Sequence, residues 1–242
     1  MKALILNSGM GSRLMPLTKD KPKCMTQLRE NETILSLQLK SLSLCGINDI
    51  VITTGYEADK LIKYGSELGR QLGISVRFVF NDLYNSTNYI YSVYLAEKYL
   101  HDDLLLLHGD LVFDSTILQI LLRADGSRMV VSSTAALPEK DFKAQIIGDR
   151  ITSIGTDIFE SAMAAQPLYK LDFNDWKIWL KEIVMFCEKG NKNCYAENAF
   201  NLVSDFCKLF PYDIKDLLCM EIDNIADFKY AKQVLNKKVQ EL

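Results

Sequence analysis

Three places in this 242-residue sequence hold residues that build no core but can do chemistry. The first is LNSGMGSRLMPLTKDKPKCM, residues 6–25, directly after a short apolar run. Gly9 and Gly11 strip side chains from the backbone, so peptide N–H groups can approach an anion closely or take positive φ. Arg13, Lys19, Lys21 and Lys23 then add positive charge. A phosphate chain suits such a loop, although the same composition also makes a solvated, turn-rich connection. The pattern is not G-x-x-x-x-G-K-[ST], and Gly9-Met10-Gly11 has no third glycine where a dinucleotide fingerprint needs one. The other two places are aspartates. Asp110 directly follows the apolar run LLLLHG, and Asp223 lies in CMEIDNIADF, just before a helical pattern. Carboxylates beside a phosphate site are what Mg²⁺ requires. Each region also holds helix-capping residues: Asp114 or Ser115 for the fourth helix, Asp223 for the last. His108, beside Asp110, reads as packing or as a hydrogen bond behind a ligand, and Asp102 and Asp103 read as a solvated turn.

The elements that must position these residues follow from hydrophobic period. Short apolar runs at 3–6, 50–53, 76–80, 104–107 and 129–132 read as buried strands. Helical patterns fill the gaps at 33–45, 57–72, 89–99 and 115–122. In the first of them Thr33 is a cap and Gly46 a stop. Strand and helix alternating at this spacing predict right-handed βαβ units and a parallel sheet, which binds ligands beyond the carboxyl ends of its strands. After residue 132 the rhythm changes. KAQIIGDRITSIG reads as a hairpin turning at Gly148-Asp149. LDFNDWKIWLKEIVMFCEKG reads as an amphipathic helix closed by Gly190, with Trp176, Trp179, Ile183 and Phe186 as a core stripe. A last strand at 217–222 precedes a final helix at 226–239. The expected fold is α/β: one domain, with a nucleotide-binding core at 1–132, an inserted hairpin and helical acceptor-side segment at 133–213, and a returning strand and helix at 214–242.

Composition narrows the function classes. A net charge of −3 gives no electrostatic reason to expect nucleic acid or an anionic membrane as a partner. The six cysteines form no C-x-x-C pair and there are two histidines, His101 and His108, which argues for reduced thiols rather than a zinc site. No apolar run approaches the ~20 residues that span a bilayer, and the first apolar stretch is too short for a signal peptide. A soluble, cytoplasmic protein is expected.

The opening stretch resembles the signature of nucleotidyltransferases that act on sugar phosphates and related small phosphates, A-A-G-x-G-x-R-L-x-P-L-T followed by P-K. The match runs through Gly9, Gly11, Arg13, Leu14, Pro16, Leu17 and Thr18 to Pro22 and Lys23. Asn7-Ser8 stands where that family carries two alanines. The resemblance implies a Rossmann-like (GT-A-like) fold and catalysis by Arg13 and Lys23, which bind phosphates and stabilise charge at the α-phosphorus. It implies further that Leu6, Asn7, Ser8, Gly9, Met10, Gly11 and Ser12 contact the nucleotide, with Asn7 and Ser8 beside base and ribose. Asp110 and Asp223 become ligands of Mg²⁺.

Residues 81–100, NDLYNSTNYIYSVYLAEKYL, are similar to the branch acting on phosphocholine and 2-aminoethylphosphonate, through Asn88, Ile90, Tyr91 and Ser92. In that branch CTP is the donor and pyrophosphate leaves. The resemblance implies a further nucleotide contact at Asn88 and acceptor contacts at Tyr91 and Ser92. In NCYAENAFN, Tyr195 or Glu197 can meet a cation: a quaternary ammonium wants aromatic faces, a primary one wants hydrogen-bond acceptors. Glu197 reads equally as a solvated helix charge. The expected reaction is CMP transfer from CTP to 2-aminoethylphosphonate, with phosphocholine as the alternative acceptor and a sugar 1-phosphate or a non-catalytic nucleotide-binding module as rivals.

Overall fold

The computed structural model describes residues 1–240. In chain order they form β1 (Lys2–Asn7), β2 (Gln27–Arg29), β3 (Glu32–Thr33), α1 (Ile34–Leu44), β4 (Asp49–Thr54), α2 (Ala58–Leu72), β5 (Ser75–Phe80) and α3 (Tyr89–Ala96). There follow β6 (Leu104–His108), β7 (Leu111–Phe113), α4 (Ser115–Arg123), β8 (Arg128–Ser132), β9 (Lys143–Ile147), β10 (Arg150–Gly155) and β11 (Ala162–Leu171). The chain ends in α5 (Phe173–Glu188), α6 (Ala196–Val203), β12 (Phe210–Asp213), β13 (Cys219–Glu221) and α7 (Ile225–Gln240).

β5, β4, β1 and β6 lie side by side, all parallel. Their apolar runs are continuous because both faces are covered. Leu4, Leu6, Leu104 and Leu106 pack into one core with α3, α5 and α6, while Ala3, Ile5, Leu105 and Leu107 pack into a second with α1, α2 and α4. The sequence alternation therefore reports the two sides of one sheet. Beyond β6 the sheet turns antiparallel. The ten-residue β11 pairs β6 along its second half, β8 on both sides of a register shift between Ala165 and Tyr169, and β9 at its start; β9 turns into β10 at Gly148-Asp149, and β12 joins β8 in parallel. This strand is absent from the sequence reading, since AMAAQPLYKL contains few β-branched residues and a proline; its partners on both sides impose the conformation. A third core sets Leu14 of the opening loop against Leu28, Ile222 and Ala231, so α7 and β2 anchor the loop from behind.

Helix boundaries follow local chemistry. Gly46 and Gly190 end α1 and α5 in left-handed backbone, at φ 76° and 89°. Thr33 and Ser36 form a reciprocal capping box on α1: the Ser36 N–H donates to Thr33 Oγ1 at 3.1 Å, and the Thr33 N–H to Ser36 Oγ at 2.8 Å. Thr33→Ala should therefore lower the unfolding free energy by about 1 kcal/mol, read as a lower urea midpoint at unchanged slope.

Candidate active site

β1 and β6 end side by side, with Leu6 opposite His108. A cleft of about 350 Å³ opens above those carboxyl ends, where parallel sheets take ligands. Its charged end holds Arg13, Lys23, Asp110 and Asp223. Lys23 Nζ donates to Asp110 Oδ2 at 2.5 Å and to Asp223 Oδ1 at 2.8 Å, and Arg13 Nη2 stands 3.0 Å from Asp223 Oδ1. Burial disfavours charge on Lys23, but the two aspartates outweigh it and hold the ammonium above the usual lysine range. Burial likewise opposes ionisation of Asp110, and Lys23 and His108 reverse it, leaving the carboxyl below its usual range.

Asp223 is free for this role because it does not cap α7. Asn224 Oδ1 accepts from the N–H groups of Ala226 and Asp227, and Asp227 Oδ2 accepts from those of Asp223 and Asn224. Asp114, not Asp110, caps α4. Behind Asp110, His108 Nδ1 lies 2.8 Å from Glu221 Oε1. Burial pushes the imidazole down, but the bond to Glu221 and its charge push it up to about 9, so His108 adds a cation next to the aspartates. Glu221 is raised by burial and then by Asp110. Atoms of His108, Asp110 and Glu221 lie within 4.8 Å of one another.

The other end of the cleft is neutral and polar. Asn81 Nδ2 donates to Ser92 Oγ at 3.0 Å, and Ser92 Oγ to Ser8 Oγ at 3.0 Å. Tyr84, Thr87 and Asn88 complete that wall. Asn7 lines the floor so tightly that a Cβ on Gly109 would stand 1.8 Å from its Oδ1. Leu6, Ser8, Gly9, Gly11 and Ser12 also line the cleft, whereas Met10, 44 % exposed, does not. Lys19 and Lys21 sit outside it too, so of the loop's cations Arg13 and Lys23 alone face the cleft.

Asn88 also borders a second cleft of about 360 Å³. Phe142, Tyr195 and Glu197 line it, together with residues 154–157. Glu197 is 1 % exposed, not a solvated charge. Its Oε1 accepts from Tyr169 Oη at 2.6 Å, and its Oε2 from Tyr89 Oη. Burial, then the Glu197 charge, pushes both phenols well above their ordinary range, so they remain donors. Among the described residues no cation lies within ion-pair distance of Glu197. The rings of Phe142 and Tyr195 meet edge to face at 5.0 Å, and those of Tyr195 and Tyr89 lie 5.8 Å apart.

Two expected acceptor contacts lie elsewhere. Tyr91 is buried in the core, stacked on Tyr94 at 5.8 Å with Lys192 over its ring, and lines neither cleft. Ser92 lines the first cleft, not the second. The cause is helical phase: α3 starts at Tyr89 with Asn88 as its cap, so Tyr89 and Ser92 share the inward face and Tyr91 turns away. Tyr89, Tyr169, Phe142 and Asn81 were not singled out from sequence; Tyr89 alone had a local signal, one position inside the Asn88 motif.

The nucleotidyl transferase family profile matches residues 2–144, and the chain belongs to that family. Over 98 % of this chain and the whole of its counterpart, the sequence is 28 % identical to choline-phosphate cytidylyltransferase of Streptococcus pneumoniae. It is 33 % identical over 137 residues to CTP:phosphoglutamine cytidylyltransferase of Campylobacter jejuni, and 30 % over 137 residues to CMP-5'-(3-aminopropyl)phosphonate synthase of Streptomyces rubellomurinus. Those two matches cover 52 % and 21 % of the respective relatives. The solved structure of the Streptococcus pneumoniae CTP:phosphocholine cytidylyltransferase superposes with a TM-score of 0.74 at 22 % identity, covering 97 % of this chain and 98 % of that one. The inositol-1-phosphate CTP transferase of T. maritima gives 0.76 at 22 %, covering 96 % and 95 %. The Rossmann-like α/β fold is thus that of nucleotidyltransferases, and the chain is a nucleotidyltransferase. No helix among the described residues is long and apolar enough to cross a membrane.

Lys23 separates two carboxylates, so Lys23→Met should be less stable than the parent by about 2 kcal/mol in chelator. Millimolar Mg²⁺ should restore most of that loss in thermal denaturation if the aspartates hold the cation; a loss that Mg²⁺ leaves untouched would count against a metal site.

Proposed function

We propose that this protein is a Mg²⁺-dependent cytidylyltransferase that transfers CMP from CTP to 2-aminoethylphosphonate, releasing pyrophosphate. The observation that carries the acceptor is Glu197. A buried carboxylate with no cation within ion-pair distance is costly, and an ammonium entering the second cleft supplies a closer counter-charge than His108, whose imidazole feels Glu197 only through space. The first cleft suits the donor: the triphosphate at Arg13 and Lys23, base and ribose at the neutral wall. Relatives whose names specify cytidylyl transfer to phosphocholine, phosphoglutamine or an aminophosphonate support CTP over other donors.

Asp110 and Asp223 fit a magnesium ion, since both already converge on one cation and offer only hard oxygen donors. Bound there, the ion would neutralise charge on the phosphates. The chain's own residues do the rest. Arg13 and Lys23 exchange carboxylate partners for phosphate oxygens and stabilise the charge that builds at the α-phosphorus. The acceptor's phosphonate oxygen, with a second pKa of about 6, is largely ionised at neutral pH and needs no general base. It attacks in line, a P–O bond forms to CMP, and the bond to pyrophosphate breaks. Phosphocholine is the second reading, favoured by the rings of Phe142, Tyr195 and Tyr89 around the cleft. A sugar phosphate leaves Glu197 without a counter-charge at ion-pair distance.

With CTP and Mg²⁺, 2-aminoethylphosphonate should release pyrophosphate at a kcat/KM at least about tenfold above phosphocholine. Glu197→Gln should raise the KM for the amine acceptor by roughly 10- to 100-fold, as expected for loss of one charge-assisted contact, and leave the KM for CTP unchanged. Phosphocholine preferred over the phosphonate would shift the assignment to the second reading, and no pyrophosphate with either would refute both.

A further inference from the structure

Lys143, the first residue of β9, is fully buried. Among the described residues no carboxylate lies within ion-pair distance of it. Its Nζ donates instead to the carbonyls of Pro138 at 2.6 Å and Asp141 at 3.2 Å, and stands 4.3 Å from the centroid of the Phe159 ring. Burying an ammonium is expensive, and a methionine would fill the same space without that cost. What the ammonium secures is the shape of residues 138–142, in the connection from β8 to β9.

That segment ends on the second cleft. Phe142 forms part of its wall, packed edge-on against Tyr195 at 5.0 Å, and its carbonyl accepts from the Ala165 N–H of β11 at 3.0 Å. The segment has no strand or helix of its own, and among the described hydrogen bonds those to Lys143 are what fold it back on itself.

We propose that Lys143 is a positioning residue for acceptor selection: its ammonium staples residues 138–142 so that Phe142 stays on the acceptor wall. Lys143 touches neither substrate and acts through the segment it closes. The proposal rests on the second cleft being the acceptor site.

The test is Lys143→Met, assayed in the full-length chain by steady-state kinetics and by limited proteolysis. Cleavage within residues 138–142 should accelerate by about tenfold or more while cleavage elsewhere stays at the parent's rate. The acceptor KM should rise by about tenfold, with kcat and the KM for CTP within about twofold of the parent. A Lys143→Met/Phe142→Ala double variant should be no worse than Phe142→Ala alone, because both remove the same wall. Lys143→Gln, which keeps one donor toward the carbonyls, should give intermediate values and carries the test if the methionine variant fails to fold. Unchanged cleavage within 138–142, additive effects in the double variant, or a rise in the KM for CTP matching that for the acceptor would each overturn the proposal. The proteolysis measurement needs no substrate, so a parent protein that turns over no amine acceptor would fail the functional reading while the staple is still tested.

Discussion

The site depends on one ammonium held between two carboxylates that are distant in sequence. Lys23 is 87 residues from Asp110 and 200 from Asp223. Three elements bring them together. β6 delivers Asp110 at its carboxyl end. β13 pairs with β7, and the Ile222 N–H donates to the Asp110 carbonyl at 3.1 Å, which sets Asp223 beside Asp110. Leu14, clamped in the third core, fixes the loop that carries Arg13. Lys23 and Arg13 already neutralise the aspartates. On the proposed function, a triphosphate that recruits these cations would leave two carboxylates in want of another, so nucleotide and divalent cation would be linked thermodynamically and reciprocally.

The parallel half and the antiparallel extension divide the work. The ends of β1 and β6 and the start of α3 line the cleft with charged and neutral ends, while β10 and α6 line the cleft with the buried carboxylate, and β11 supplies Tyr169 to that carboxylate. The tryptophan stripe of α5 is what joins the second cleft to the core. Trp179 Nε1 donates to the Ala196 carbonyl at 2.8 Å and so holds the first turn of α6, one residue from Glu197. Trp176 Nε1 donates to the Leu100 carbonyl at 3.0 Å and ties the same helix to the chain before β6. Both rings are fully buried. A stripe that looks like plain core therefore carries positional information for a functional side chain.

The sequence was most legible where one local rule sufficed. Continuous apolar runs gave β1, β4 and β6, glycines gave the ends of α1 and α5, and Thr33 gave a cap. It was least legible where distant segments decide the outcome. Glu197 has the surroundings of a surface helix residue in sequence, and it is buried because Tyr89 and Tyr169 arrive from 108 and 28 residues away. Whether Asp223 capped α7 or faced the cleft could not be read from its type; the box formed by Asn224 and Asp227 decides it. Tyr91 fits the Asn88 motif by composition, yet helical phase turns Tyr91 into the core and sets Tyr89 against Glu197. β11 is a strand because β6, β8 and β9 require one there, a tertiary override of weak local preference.

On the proposed function, transfer between the clefts would need the reacting atoms held near one another in line, which would make the wall between them as important as either lining. Asn88 is that wall, since it borders both. Its side chain is tied down locally, with Oδ1 accepting from the Tyr89 N–H at 2.8 Å, and its own N–H donates to the Lys192 carbonyl at 2.9 Å. One bond locks Asn88 to α3, whose inward face supplies Tyr89 and Ser92; the other locks it to the segment leading into Tyr195 and Glu197. A shift of α3 would therefore move the Ser92–Ser8 contact in the first cleft and the Tyr89–Glu197 contact in the second together. The two clefts are coupled through a helix cap, so on the proposed function an error in placing one substrate would become an error in placing the other.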